Sequence, residues 1–172
     1  MPPLPNSPSY TAALGLSPAD VAALLWQARA LQSAWRKGTP LPLLRGKQLG
    51  LLRGSGEHDQ TALFCHAARE LGAHVALLQH GLTESSPEQE VDHTARLMGR
   101  LYDAIECQGL SRALVQQIAQ AAGVPVFDGL GLPQHASAAW VSELQGSEEG
   151  ADKQRFLIQA WLLRKLAAQA AP

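Results

Sequence analysis

The side chains of this chain that could do chemistry gather after short apolar runs. Glu57, His58 and Asp59 follow the first run, His80 and Glu84 the second, and His135 the fourth. Imidazole and carboxylate groups collected on one edge would offer nitrogen and oxygen ligands for a divalent cation. The spacings hold no compact pair of the HxxxH or CxxC kind, so no metal is assigned. Cys65 sits at a helical position next to Phe64, and Cys107 closes a strand. No histidine or carboxylate is placed beside either by sequence, so neither reads as a nucleophile. His66 and His93 lie on helices and read as surface or packing residues. Asp59 also has a plain structural reading, as a carboxylate capping the free amides of a helix start. Asp92 and Arg96, four residues apart, read as an ion pair or a helix-face contact.

These residues need elements to hold them. Ser17-Pro18-Ala19-Asp20 is a helix start, with a capping hydroxyl, a proline in the first turn and an acid three residues on. Val21, Leu24, Leu25, Ala28, Leu31 and Trp35 continue it at helical spacing to Gly38. Residues 39–46 are a loop. Strands are expected over 48–52, 74–78, 102–107 and 124–127. Helices are expected over 59–71, 86–99, 111–122 and about 133–145, the second opened by a capping box at Ser86-Pro87-Glu88-Gln89. Strands alternating with helices make βαβ units. The fold class is therefore α/β: a three-layer, four-stranded parallel sheet with helices on both faces. Functional loops of such a sheet lie at the strands' carboxyl ends. After the turn GSEEG (146–150), a last helix over about 152–168 carries Phe156, Leu157, Ala160, Trp161, Leu163 and Leu166 on roughly one side. Trp140 and Trp161 suggest an antiparallel helix pair.

The chain has 172 residues, with 14 Lys+Arg against 15 Asp+Glu and a net charge of −1. A phosphate-backbone binder needs a basic face, so no nucleic-acid partner is expected. No apolar run approaches the ~20 residues of a membrane span, and no secretory signal is read at the N-terminus, so no membrane partner is expected. Two cysteines suit a reducing compartment, and the expected location is cytoplasmic. Residues 1–14, rich in proline, read as a flexible arm before one domain over 15–172.

Four stretches carry a family resemblance: PLLRGKQLGLL (42–52), ELGAHVALL (70–78), ESSPEQEVDHTARLMGRLYDAIECQG (84–109) and GVPVFDGLGLPQHASA (123–138). The third is the most specific, keeping Asp92, Thr94, Ala95, Arg96, Gly99, Arg100, Tyr102, Asp103 and Ala104 in register. Over residues 16–146 the chain resembles the carbamoyl-phosphate-binding domain of aspartate and ornithine transcarbamoylases, closest to the ornithine enzymes. The resemblance implies a phosphate cradle after the first strand, written Ser-Thr-Arg-Thr-Arg in the family. Here those positions are Glu57, His58, Asp59, Gln60 and Thr61. A further family Arg falls on Gln108, and the family's His-Pro-x-Gln falls on His135-Ala136-Ser137-Ala138, so Ala138 replaces the Gln and the His alone is kept. Two positive charges have become two negative ones. A carboxylate ~4 Å from a phosphate oxygen costs about 4 kcal/mol at an effective dielectric of 20, and the lost arginine contacts were of the bidentate, charge-assisted kind.

The resemblance also implies a second, amino-acid-binding domain, reached along the helix after His-Pro-x-Gln and left by a helix that returns to the first. Residues 140–145 resemble the outgoing helix and residues 151–169 the returning one, with only GSEEG between. The expectation is a pseudoenzyme without cofactor, acting by binding or assembly. The resemblance implies a homo-oligomer, a trimer by family habit, and allows contact with a true transcarbamoylase. The rival expectation is an enzyme, either a residual carbamoyltransferase or a new activity at the acidic, histidine-containing edge. A third is a structural partner with an apolar patch around Trp140 and Trp161, either exposed or buried in an oligomer.

Overall fold

The computed structural model describes residues 15–39, 41–54, 61–79 and 81–167. The expected arm over 1–14 lies outside them. In chain order the elements are α1 (Pro18–Arg36), β1 (Gln48–Arg53), α2 (Thr61–Glu70), β2 (His74–Leu78), α3 (Glu88–Leu101), β3 (Ala104–Gln108), α4 (Arg112–Ala122), β4 (Val126–Asp128), α5 (Ala136–Ala139), a 3-10 turn (Val141–Glu143) and α6 (Gly150–Ala167).

The four strands form one parallel sheet in the order β2-β1-β3-β4. In β1, Leu49 and Leu51 belong to one apolar layer and Leu52 to the other, the period of two that a sheet covered on both faces requires. The first layer lies under α1, α2 and α6 and includes Leu24, Phe64 and Phe156. The second lies under α3 and α4 and includes Val91, Met98 and Ile118. Gly50 opens the second face to an aromatic ring: a Cβ there would stand 2.8 Å from Leu78 Cδ1 and 3.2 Å from the Tyr102 ring.

The first helix starts as its sequence dictates. The Asp20 N–H donates to Ser17 Oγ (3.2 Å) and the Ser17 N–H to Asp20 Oδ2 (2.9 Å), a complete capping box with Pro18 in the first turn. Ser111 caps α4, which Gly123 closes at a φ of 71°. The expected box at Ser86 is not formed. Pro87 is the N-cap of α3, and Ser86 Oγ instead accepts the Thr83 N–H (3.0 Å), closing a turn one step before the helix. Acids in the first turn, Glu88 and Glu90, complement the helix dipole in its place.

The third strand starts two residues later than expected, because Tyr102 ends α3 and Asp103 has other partners. Asp103 accepts from Lys47 Nζ (2.8 Å) and from the Gln48 N–H (2.8 Å), tying the foot of β1 to the chain entering β3. The fourth strand is likewise displaced, to Val126–Asp128.

The helix expected over 133–145 is replaced by two short turns, α5 and the 3-10 turn, meeting at Trp140. That ring is fully buried and stacks on Trp161 with centroids 5.5 Å apart and 14° between planes. The anticipated exposed patch at Trp140 and Trp161 is therefore absent, since the chain covers both rings itself. The last helix also departs from a one-sided pattern: every residue from Arg155 to Leu163 is buried. It lies among α1, α2 and the α5 segment, so it has no free face. No helix among the described residues is long and apolar enough to cross a membrane.

Gly99 lets α3 and α4 approach. A Cβ at this position would fall 1.7 Å from the Ala122 carbonyl oxygen, a clash with backbone that no rotamer relieves. Gly99→Ala is expected to lower stability by about 2 kcal/mol, overriding the ~1 kcal/mol that alanine normally adds in a helix. Gly81→Ala, where a Cβ meets nothing within 4 Å, is expected to change it by less than about 0.5 kcal/mol. Urea midpoints of the two variants against the parent chain check both.

Candidate functional site

At the carboxyl ends of the strands, β1 leads outward to β2 and β3 leads the other way to β4, the switch point where open α/β sheets form a crevice. The ends of β1 and β3 nearly touch. A Cβ on Gly54 would stand 2.2 Å from the Gly109 oxygen, and the Gly54 N–H donates to the Gln108 carbonyl at 2.8 Å. A cleft of about 460 Å³ opens there, lined by Arg53, Thr83, Glu84 and Ser111 among others.

Three pieces of chain meet on the other flank: the start of α2, the end of β3 and the β4–α5 loop. A Cβ at Gly131 in that loop would lie 3.7 Å from the Phe64 amide nitrogen of α2 and 3.0 Å from Ile158 of α6. Of the residues expected to form the site, Glu57, His58, Asp59 and Gln60 lie outside the described residues, as does His80. Thr61 opens α2 half-buried, and Ala138 is half-buried in α5.

Gln108 is buried, 3 % exposed, and its Nε2 donates to Glu106 Oε1 at 3.0 Å. Residues two apart on a strand share a face, which brings these two side chains together. Glu106 is 1 % exposed and was not singled out by the sequence reading; its signal is one acid inside the otherwise uncharged strand AIECQ. Burial pushes its carboxyl well above the usual range, and the nearby Asp128 carboxyl adds to the rise. Hydrogen bonds from Gln108 and from the Leu130 backbone oppose it. Glu106 Oε2 and Gln108 Oε1 are both buried, and among the described residues neither has a hydrogen-bond partner. The pair is therefore a carboxyl whose ionisation burial disfavours, beside a neutral amide.

His135 is committed to structure. Its Nδ1 accepts the Ser137 N–H at 3.0 Å, capping α5, and lies 2.9 Å from Ser137 Oγ. Its ring meets Trp161 edge-on at 5.1 Å. Burial pushes its pKa down to about 4. A ring that accepts at Nδ1 while neutral carries its proton on Nε2.

The remaining candidates stay apart. His66 lies 3.6 Å from Glu70 on the surface of α2, His93 is exposed on α3, and Arg96 pairs with Asp92 at 3.2 Å as the helical spacing implies. Cys107 is buried and Cys65 half-buried, and desolvation raises both thiols. Among the described residues no three His, Cys, Asp or Glu side chains are grouped to hold a metal ion.

Comparison with known proteins places this arrangement. Residues 9–140 match the family described as aspartate/ornithine carbamoyltransferase, carbamoyl-P binding domain. The chain belongs to that family. It is 36 % identical over 111 residues to the ornithine carbamoyltransferase of Cutibacterium acnes, a match covering 64 % of this chain and 33 % of the relative. The chain thus matches about a third of the length of such curated relatives. Its fold superposes on the ornithine carbamoyltransferase of Pyrococcus furiosus with a TM-score of 0.60 at 26 % identity, covering 73 % of this chain and 40 % of that one. The Burkholderia thailandensis ornithine carbamoyltransferase gives 0.61 at 19 % identity, covering 72 % of this chain and 43 % of the other, which bears on the fold alone. The four-stranded sheet with helices on both faces and a C-terminal helix is the architecture expected of this carbamoyltransferase domain.

Glu106 and the half-buried His135 pull stability in opposite directions with pH. Glu106 has a raised folded pKa, so its contribution is complete below its ordinary value of 4.5 and is lost as pH rises through the raised value. His135 has a depressed one, so its contribution is present above 6.5 and is lost as pH falls through about 4. Glu106→Gln is expected to gain stability relative to the parent chain as pH rises above 4.5, read from denaturant midpoints. Nitrogen chemical shifts of the His135 ring should report a neutral Nε2–H form still present at pH 5.

Proposed function

We propose that this chain carries the carbamoyl-phosphate-binding fold without the chemistry to hold carbamoyl phosphate, and that it works by binding or assembly and not by turnover. The observation that supports this most is Gln108. At the position where the resemblance puts a cationic arginine stands a buried amide directed at Glu106. A dianionic phosphoryl group there would meet an uncharged amide and a buried carboxyl where the family has a guanidinium, which leaves its desolvation less offset. The residue types of the first loop act in the same direction, since Glu57 and Asp59 stand where the family has a serine and an arginine. His135, the one retained member of His-Pro-x-Gln, is a neutral helix cap packed on a tryptophan.

The connection into α6 supports a chain without the family's second domain between its two crossing helices. Only six residues separate Glu143 of the 3-10 turn from Gly150 of α6. They are tied down at once: Gln32 Nε2 donates to the Gln145 carbonyl (2.8 Å) and to Glu148 (3.0 Å), and Arg36 pairs with Glu148. In this reading residues 15–172 are one carbamoyltransferase-like domain closed by its own returning helix. Its working form is a homo-oligomer, a trimer on the family pattern, with contact to a true transcarbamoylase as the heteromeric version.

The test restores what is missing. Carbamoyl phosphate at millimolar concentration is expected to leave the melting temperature of the parent chain unchanged. A chain with residues 57–61 replaced by Ser-Thr-Arg-Thr-Arg and Gln108→Arg should regain binding. A hundredfold excess over Kd adds about 2.7 kcal/mol, which at roughly 2–4 °C per kcal/mol raises the melting temperature by about 5–10 °C. Stabilisation of the parent chain by carbamoyl phosphate, or formation of a carbamoylated amino acid, would overturn the proposal.

A further inference from the structure

At the opposite end of the sheet, where the strands begin, a second cleft of about 280 Å³ opens between the last turns of α1 and α2 and the side of α6. Its apolar walls include Leu31, Leu41 and Leu71, with Trp35 at the rim. Trp35 is 47 % exposed, and the buried Phe156 backs it edge-on with 5.9 Å between centroids. Behind both lies Arg155, 2 % exposed, its guanidinium 5.2 Å from the Trp35 ring centre and paired with Glu70. A cation on this indole is thus already part of the fold, and part of the ring remains open.

Apart from the indole, the polar side chains of the lining accept hydrogen bonds. Gln159 is 4 % exposed, and its Nε2 donates to the Ala67 carbonyl (3.2 Å) and to Glu70 Oε2 (2.8 Å). Those two oxygens fix the amide, so its other atom, Oε1, is the acceptor left over. Among the described residues no hydrogen bond reaches Gln159 Oε1. Buried polar side chains are satisfied by protein, water or ligand, and a donor is what this one lacks. Glu70 supplies a second acceptor, since its Oε1 stands 3.6 Å from His66, beyond hydrogen-bond reach. Thr39 adds a hydroxyl at the exposed rim. The carboxyl ends of α1 and α2 also meet here, at Arg36 and Glu70, and their dipoles add partial negative charge.

An apolar recess with an open indole and convergent acceptor oxygens suits a ligand that is apolar in body and positive at one end. We propose that this cleft binds a small protonated amine, an ammonium on one ring or a short apolar chain. The apolar part lies against Trp35 and Leu41, and the ammonium donates to Gln159 Oε1 and Glu70. The volume is just under the lower end of ligand pockets, about 300 Å³, which limits the ligand to roughly one ring. None of these residues belongs to the carbamoyl-phosphate positions. Isothermal titration of the full chain with phenethylamine, 2-phenylethanol and 3-phenylpropionate compares three charge states on one ring. The amine is expected to bind about tenfold tighter than the alcohol, the size of one charge-assisted contact, and the carboxylate to give no binding heat. Ala34→Phe, filling the recess from a half-buried position, should weaken the amine by about tenfold or more. Thr39→Arg should do the same by setting a fixed cation at the rim, and its exposed position leaves the fold intact, which unfolding midpoints check. No binding of the amine, equal binding of amine and alcohol, or parental amine affinity in either variant would overturn the proposal.

Discussion

A helix buried on every side needs a wall on every side, and most of this molecule is arranged to give α6 its walls. From Arg155 to Leu163 no residue of it reaches solvent. Apolar surface alone does not place such a helix, because it would slide or rotate at little cost. Position is set by polar contacts with direction: Arg155 to Glu70, Gln159 to the Ala67 carbonyl, and Arg164 to Asp20 at the far end. A buried guanidinium stripped of its carboxylate is destabilising by about 3–5 kcal/mol, so the register of α6 against α2 is specified far more sharply than its hydrophobicity would specify it.

The candidate site inherits its shape from the same helix. Trp161 of α6 is the plate on which Trp140 stacks and against which the His135 ring stands edge-on. Aromatic pairs of this kind add about 0.5–1.5 kcal/mol beyond the area they bury. They also hold the imidazole half-buried, where desolvation makes protonation costly. The last helix thus supports the sheet and, in the same contacts, keeps the His135 imidazole out of ionic chemistry near neutral pH.

Much of the fold is legible in the sequence, because its elements are announced by local chemistry. Ser17-Pro18-Ala19-Asp20 has one good conformation, and Gly72 and Gly123 end helices at positive φ as only glycine readily does. What misleads is long-range. Ser86 looks like a cap but finds a nearer partner in the Thr83 amide. Residues 133–145 have helical composition, yet the chain breaks at Trp140 because placing that ring on Trp161 outweighs two turns of backbone hydrogen bonding. The one-sided reading of α6 fails because a count of apolar positions cannot reveal that three other elements enclose it. At the site, Gln108 and His135 are found by alignment of residue types. Glu106 is not, since nothing local marks a strand acid as buried.

The deeper consequence is electrostatic. A cradle for a dianion works because fixed positive charge and free amides face the same point, so desolvation of the ligand is offset there and nowhere else. Removing one cation from such a site leaves a weaker cradle. Leaving a buried carboxyl uncompensated beside the vacated position does more, because that carboxyl must hold its proton or destabilise the fold. Glu106 beside Gln108 is a buried carboxyl of this kind: among the described residues its Oε2 has no hydrogen-bond partner, and burial raises its pKa well above the usual range. Bringing a phosphoryl dianion close would raise that carboxyl's pKa further still, so ligand charge and protein charge are coupled against each other.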